Sequence, residues 1–516
     1  MLDNQIREQL TSVFGSLEGH IELVYQESSH EKQAELTEML DQIAATSEKI
    51  TAVASNRVSA APFFEVKQNG QETGIRFSGI PGGHEFTSLV LSILNADGKG
   101  KLPDETITRR MGRLMGPIHL KTYISLSCEN CPEVVQALNI MALFHPEFTH
   151  EMVDGAFFQD EISALGIQGV PSVMDGKILV SSGKSDLAQL LSKLEDHFGV
   201  DQAQDRGPVH LGDYDVAVIG GGPAGVSASI YAARKGLKTV VVADSIGGQV
   251  KETRAIENMI SVPHTQGPEL SAQLRKHVDA YDIKILEHRR LSGLTDNSRK
   301  KLELDTQEWL SAASVIVATG AKWRELGIPG EKAYTGKGVA YCPHCDGPFY
   351  KGKDVAVIGG GNSGVEAAID LAGIVGSVRL IEVEPHLKAD HILVEKVRSL
   401  PNVTVMTGAM TTEITGNGQR VTGIEVTEQK SGKTQHLDLS GVFVQIGLIP
   451  NSGFLQGVVE TNPFGEIVVD EKCRTSVKGI YAAGDVTTVP FKQIVISMGE
   501  GAKAALSAFE EQVLQA

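Results

Sequence analysis

The sequence predicts an α/β protein in which two doubly wound, mostly parallel sheets follow a front region built on a different strand–helix order. Three observations carry that reading. An apolar run, a glycine-rich turn and a helix-like segment occur in that order twice, as "YDVAVIGGGPAGVSASIYAARKG" (214–236) and "KDVAVIGGGNSGVEAAIDLAGIVG" (353–376). Each unit reaches a second apolar run, ending at Asp244 in the first and Glu382 in the second. Short, bounded apolar runs of this kind suit strands buried on both faces of a parallel sheet.

The front region begins differently. "HLKTYISL" reads as a strand, "SCENCP" as a loop carrying Cys128 and Cys131, and the following segment as a helix from near Pro132. "LGIQGVPSVMDGKILVSSGKSDLAQLLSKLEDHF" then gives a short loop ending at Val170-Pro171, two strands and an amphipathic helix. The earlier "SAAPFFEVKQNGQETGIRFSGIPGGHEFTSLVLSIL" repeats this strand–strand–helix ending after Pro62, without cysteines, so an internal duplication is expected. "FGVDQAQDRGPVHLGDYD" is polar and aperiodic, and its residues 199–211 are the expected linker, long enough to let the front module swing.

Composition narrows the chemistry. A net charge of −17 over 516 residues disfavours nucleic acid and anionic membrane surfaces as partners. Asp3, Arg7 and Glu8 interrupt the apolar core that a signal peptide needs, and no uncharged run has spanning length, so a cytoplasmic protein is expected. Five cysteines are too few for a disulfide framework in so long a chain.

The glycine turns point to dinucleotides. Gly220, Gly222 and Gly225 stand at G-x-G-x-x-G spacing between a strand and a helix, with Asp244 placed to hold a ribose hydroxyl. Gly359, Gly361 and Gly364 repeat the pattern, with Glu382 as the acid. In each turn the second glycine lets backbone N–H groups approach a pyrophosphate at the helix N-terminus. Pro223 and Ala224 in the first turn, and Asn362, Ser363 and Glu366 in the second, are assigned to the same binding sites. Two such sites imply a flavin and a nicotinamide. Glu382 and Glu384 would repel a 2′-phosphate, which favours NADH over NADPH, with Lys388 just beyond as the one opposing charge.

Two C-x-x-C pairs remain: Cys128/Cys131 and Cys342/Cys345. Over two hundred positions separate them, which argues against a shared zinc site, and no metal is expected. As redox pairs each has a suitable setting. Cys128 precedes a helix whose N-terminus favours a thiolate, and Cys342/Cys345 lie between the two nucleotide folds. Asp346, adjacent to Cys345, is a candidate acid toward the leaving thiol or a plain turn residue. Cys473 has no partner at useful spacing.

"ATGAKWR", "YCPHCDGP", "GGGNSGVEAA", "QIGLIPN" and "YAAGDVTTVPFKQIVISMGEGAKAA" together resemble the low-molecular-weight thioredoxin reductases. With the front "SCENC" module, the whole chain resembles the flavoprotein subunits of alkyl hydroperoxide reductases. The resemblance implies N-terminal tandem thioredoxin-like folds followed by two Rossmann-like dinucleotide-binding domains. The front module would cover 1–198, with its redox-active half at about 115–198. FAD would be held by 212–329 and 446–516, and NADH by an inserted 330–445 carrying the second cysteine pair.

Further assignments follow from the same resemblance. Gly248, Gln249, Asn258, Thr319, Gly320, Gly484, Asp485 and Gln493 match FAD-contacting positions, Asp485 holding the ribitol chain and Gln493 lying near the isoalloxazine ring. Cys345 would face the flavin and Cys342 would exchange, while Cys128 would attack and Cys131 resolve. Val170-Pro171 matches a cis-proline beside a thioredoxin-type disulfide. "CENC" departs from the usual Cys-Gly-Pro-Cys loop. Glu85, retained in the cysteine-free copy, is a candidate proton acceptor near Cys128 or an exposed helix cap.

The function so implied is an NADH-dependent disulfide oxidoreductase, homodimeric, that passes electrons from NADH through FAD, Cys342/Cys345 and Cys128/Cys131 to a peroxiredoxin. That partner then reduces hydrogen peroxide and alkyl hydroperoxides. Competing readings are a hydrogen-peroxide-forming NADH oxidase, a general thioredoxin reductase-like enzyme, and a front module that binds proteins without carrying electrons.

Overall fold

The structure is a computed structural model that describes residues 2–128, 130–167, 169–201, 207–253, 256–297 and 299–515, without the side chains of Glu252, His344, Cys345 and Gln515. It forms two compact units, Met1–Pro208 and Val209–Ala516.

The first unit is one eight-stranded sheet in the order Ile50–Val58, Ile21–Glu27, Phe63–Gln68, Gln71–Ser78, Phe148–Asp154, Ile118–Ile124, Ser172–Asp175, Ile178–Ser182. Its halves repeat one topology. In each, a parallel pair joined through a helix is followed by an antiparallel hairpin laid against the first strand. The halves meet where Gln71–Ser78 pairs in parallel with Phe148–Asp154. One large core runs through both, from Leu10 and Phe14 to Leu191 and Leu194, with the helix Cys131–Phe144 contributing Val134, Val135, Leu138 and Met141, and a small second cluster forms around Tyr123, Val153 and Met174. The helix Leu187–Phe198 closes the unit behind a capping box in which Asp186 and Gln189 satisfy each other's backbone.

In the second unit the strand Val209–Ile219 is central. Thr239–Val242 and then Ile283–Leu286 flank it on one side, and Glu308–Val317 with the hairpin Leu291–Thr295/Lys300–Leu304 on the other. A strand from near the C-terminus, Ile480–Ala482, pairs in parallel with the end of Glu308–Val317. The chain therefore leaves this sheet, builds a second one, and returns to complete the first. The second sheet is wholly parallel, in the order Val339–Ala340, Gly441–Val444, Asp354–Ile358, Ser377–Glu382, Val403–Thr407. Its inner strands are mostly buried, as a parallel sheet covered on both faces demands, while the edge strand Val403–Thr407 is only partly covered. The helix Ile494–Gln515 packs on the helix Pro223–Arg234, whose Ala224 carbonyl approaches Gly501 so closely that a Cβ there would lie 2.0 Å from it.

Both ends of the expected linker belong to folded elements. Val200 bridges Leu114 and Asp201 N–H donates to the Arg113 carbonyl at 2.8 Å, while Val209 begins an eleven-residue strand. Periodicity failed there because that strand alternates only partly and its first residues are exposed. Residues 202–206 of the linker lie outside the described residues. Among the described residues no helix is long and apolar enough to cross a membrane.

Candidate functional site

The two glycine turns of the second unit superpose in role, residue for residue. Gly220 and Gly359 have φ of 119° and 122°, and a Cβ would lie 2.1 Å from the Ala318 carbonyl oxygen or 2.2 Å from that of Gln445. Only glycine permits those turns. The third glycines, Gly225 and Gly364, seat the helix on the strand, because a Cβ at either would sit 1.9 Å from the carbonyl oxygen of the first glycine. At the second glycines the space is open. A Cβ on Gly361 would meet nothing within 4 Å, and one on Gly222 only the Gly248 Cα at 4.0 Å. That is the cradle a pyrophosphate requires, at the N-termini of the helices Pro223–Arg234 and Asn362–Ala372. The residues therefore fit FAD and NADH.

The acids differ. Asp244 is half exposed and held in a bidentate pair by Arg290, with Nε to Oδ1 2.7 Å and Nη2 to Oδ2 3.1 Å. Glu382 is buried. It accepts the Gly360 N–H at 2.5 Å and the Glu384 N–H at 2.8 Å, so it locks the turn to the strand end in addition to any ribose contact. Lys388, which could have welcomed a 2′-phosphate, lies 3.3 Å from Glu384 and is compensated. Asn362 is tied to Asp390, accepting its N–H at 2.8 Å, while Ser363 and Glu366 stand exposed on the same helix. The side chain of Ala224 is occupied in packing, and Pro223 sets the first helical turn.

The remaining flavin assignments gather around the same sheet ends. Gly248 faces Gly222 so closely that a Cβ would come within 2.9 Å of its Cα, and Gln249 beside it is exposed. Thr319 and Gly320 are pinned by Asn451: Thr319 Oγ1 donates to the Asn451 carbonyl at 2.7 Å and Asn451 N–H to that of Gly320 at 2.9 Å. Gly484 has φ of 77°. Asp485 accepts from Ser497 Oγ at 3.1 Å, and burial raises its pKa above the usual carboxylate range.

Gln493 joins these residues to a disulfide. Its Oε1 accepts from Asn258 Nδ2 at 3.0 Å, and its Nε2 lies 3.9 Å from Cys342 Sγ. Cys342 is held in a disulfide, and Asp346 N–H donates to its carbonyl at 3.0 Å. Burial pushes the Asp346 carboxyl up to about 6, so near neutrality it can hold or release a proton. The side chain of Cys345 lies outside the described residues. Cys473 is free and buried, with its thiol pushed up to about 12 by burial and the nearby Glu500.

In the first unit Cys128 and Cys131 form a disulfide with Cα atoms 5.5 Å apart. Cys131, fully buried, begins the helix one residue before the expected Pro132, and Cys128 is half buried, its Sγ 3.9 Å from the Val170 carbonyl oxygen. The Val170–Pro171 peptide is cis.

Glu85 corrects one expectation. It is not an exposed helix cap: it is fully buried, makes no side-chain cap bond to the helix Phe86–Ala96, and neither carboxylate oxygen has a hydrogen-bond partner among the described residues. Burial pushes its pKa up to about 7. Its turn touches the redox loop, since His84 N–H donates to the Leu126 carbonyl at 3.3 Å. With a folded pKa near 7 against an ordinary 4.5, the native state binds the extra proton, so stability falls as pH rises through that window. Glu85→Gln should flatten this slope, read as amide exchange in the helix Phe86–Ala96 between about pH 4.5 and 7.

Sequence reasoning missed Asn451, Arg290 and Asp390. Asn451 ends the quoted "QIGLIPN" and was legible as part of that motif; Arg290 and Asp390 carry no local signal, because only the fold brings them to Asp244 and Asn362.

Comparison with known proteins agrees with this geometry. Residues 214–501 match the pyridine nucleotide-disulphide oxidoreductase family. The chain is 48% identical to the F subunit of alkyl hydroperoxide reductase of Pseudomonas putida, covering 99% of each chain. It is 45% identical to the protein of that name in Escherichia coli K12, covering 99% of this chain and 98% of the relative. It is also 46% identical to a Bacillus subtilis protein named NADH dehydrogenase, covering 99% of each. Among solved structures, thioredoxin reductase from Streptococcus pyogenes matches 58% of this chain and 99% of its own length, at 33% identity and a TM-score of 0.56. The chain thus belongs to the pyridine nucleotide-disulphide oxidoreductase family and, along its full length, to the alkyl hydroperoxide reductase F subunits.

Proposed function

We propose that this chain is an NADH-dependent flavoprotein disulfide reductase whose final acceptor is the disulfide of a peroxiredoxin. The observation that carries the proposal is the contact of Gln493 with both Asn258 and Cys342, which puts a disulfide beside the end of a dinucleotide fold suited to FAD. Bound FAD supplies the two-electron step between NADH and that disulfide. Every other step is thiol–disulfide exchange. The Cys342/Cys345 dithiol attacks Cys128–Cys131, one S–S bond forming as the other breaks, and the released Cys128/Cys131 dithiol then reduces the partner's disulfide in the same way. Overall, NADH, one proton and one partner disulfide become NAD⁺ and two thiols.

Cys128, the more exposed of its pair, is the attacking thiol and the buried Cys131 resolves. Asp346 and Glu85, each with a raised pKa, handle the protons of the two pairs. The domains are a tandem thioredoxin-like module over 1–198, an FAD domain over 212–329 and 446–516, and an NADH domain over 330–445. The repeated topology of the first unit and the late return of Ile480–Ala482 to the first sheet support these limits. The working form is a cytoplasmic homodimer.

Anaerobic dithionite titration of the FAD-loaded chain tests the relay. A relay takes up about three two-electron equivalents per chain, one for the flavin and one for each disulfide. Uptake of about two would mean that the first unit carries no electrons.

A further inference from the structure

A one-way chain of hydrogen bonds crosses the core of the first unit. Thr122 Oγ1 lies 2.7 Å from His150 Nε2, and His150 Nδ1 lies 2.6 Å from Asn139 Oδ1. Asn139 Nδ2 donates to Ser92 Oγ at 3.0 Å, and Ser92 Oγ donates to the Ser88 carbonyl at 2.7 Å. All five residues are buried. Because an amide oxygen only accepts, His150 carries its proton on Nδ1 and its Nε2 accepts from Thr122. Burial lowers the His150 pKa to about 3, so the imidazole stays neutral and the direction of the chain does not reverse near neutrality. Each bond polarises the next, and breaking one leaves a buried polar group unpaired.

Apolar side chains alone would hold these halves together, as the surrounding core does. What the polar chain adds is register. Gln136 and Asn139, three residues apart on the helix Cys131–Phe144, meet Ser88 and Ser92, four apart on the helix Phe86–Ala96, through bonds of 3.3 Å and 3.0 Å. Such spacings put each pair on one helix face. Cys131 begins the first helix and Glu85 immediately precedes the second. The helix Cys131–Phe144 also packs on the turn Gly83–Glu85, whose His84 is bonded to Leu126 in the redox loop.

We propose that Gln136, Asn139, Ser92 and His150 are positioning residues for the Cys128–Cys131 pair: by fixing the axial register of the two helices they hold the Glu85 carboxyl at the redox loop. The cysteine-free half then serves the cysteines of the other half through one buried seam. This inference rests on the role given to Glu85 above.

The test uses the full-length, FAD-loaded chain, equilibrated with glutathione buffers, quenched by alkylation and read by mass spectrometry of the peptide containing Cys128 and Cys131. Ser92→Ala and Asn139→Leu are expected to shift the thiol–disulfide equilibrium constant threefold or more, and Ser92→Thr, which keeps the hydroxyl, to restore it. In a Glu85→Gln background the same substitutions should have no further effect. A native constant in folded Ser92→Ala, or an undiminished shift in the Glu85→Gln background, overturns the register proposal while leaving the role of Glu85 intact. If Glu85→Gln alone leaves the constant unmoved, the role of Glu85 falls and the register proposal falls with it. Ser92→Ala removes only one hydroxyl, so the test survives a failure of Asn139→Leu to fold.

Discussion

Replacing Cys128 and Cys131 together with serine is expected to cut peroxiredoxin-coupled NADH turnover by at least about three orders of magnitude, since depriving a site of its nucleophile can cost up to about a millionfold. Serine offers no accessible thiolate and forms no mixed disulfide, so exchange with either neighbour in the relay stops. Aerobic NADH oxidation should be unchanged, because the two glycine turns and Cys342 lie in the other compact unit. The single substitution Cys131→Ser is informative in a different way. It leaves the half-buried Cys128 free to attack and removes the buried thiol that would resolve the adduct, so a partner disulfide should be trapped as a covalent complex on non-reducing gels. Persistence of coupled turnover in the double variant would remove the first unit from the electron path.

The second large effect separates two glycines three residues apart. Gly361→Val places its Cβ in open space in the second nucleotide turn, with no protein atom within 4 Å, so the chain should fold and accept electrons from dithionite. Its NADH affinity should fall by about a hundredfold, as misplacement of a bound group by about an ångström can cost. Gly364→Val meets the Gly359 carbonyl at 1.9 Å, where backbone cannot yield cheaply, and should cost about 3 kcal/mol of stability or prevent folding. Near-UV circular dichroism and NADH titration of the two purified variants distinguish these outcomes. Equal loss of NADH binding with equal folding in both would contradict the division of labour within the turn.

Much of this was legible in the sequence because local chemistry dictates it. A turn with φ near 120° and a carbonyl 1.9 Å from where a Cβ would stand admits glycine alone, so both dinucleotide folds announce themselves as motifs. What was not legible depends on distant residues. Arg290 reaches Asp244 across 46 positions, and Gln493 reaches Asn258 across 235. From sequence Glu85 suits a proton acceptor near Cys128 and an exposed helix cap equally, because a lone acid at a helix start is normally a cap. Only the packing of the turn Gly83–Glu85 under the helix Cys131–Phe144 removes it from water. The linker was overextended for a related reason: partners beyond the window, Leu114 and Arg113, recruit Val200 and Asp201.

The parallel pairing of Gln71–Ser78 with Phe148–Asp154 has a consequence for how the molecule can be cut apart. Severed between the repeats, each half would expose a row of unpaired backbone groups along what is now an interior strand, the kind of border that recruits other chains and aggregates. The cysteine-bearing half is therefore not an excisable cartridge. Its companion is its edge protection, which gives a second reason, beside Glu85, for the cysteine-free copy to persist.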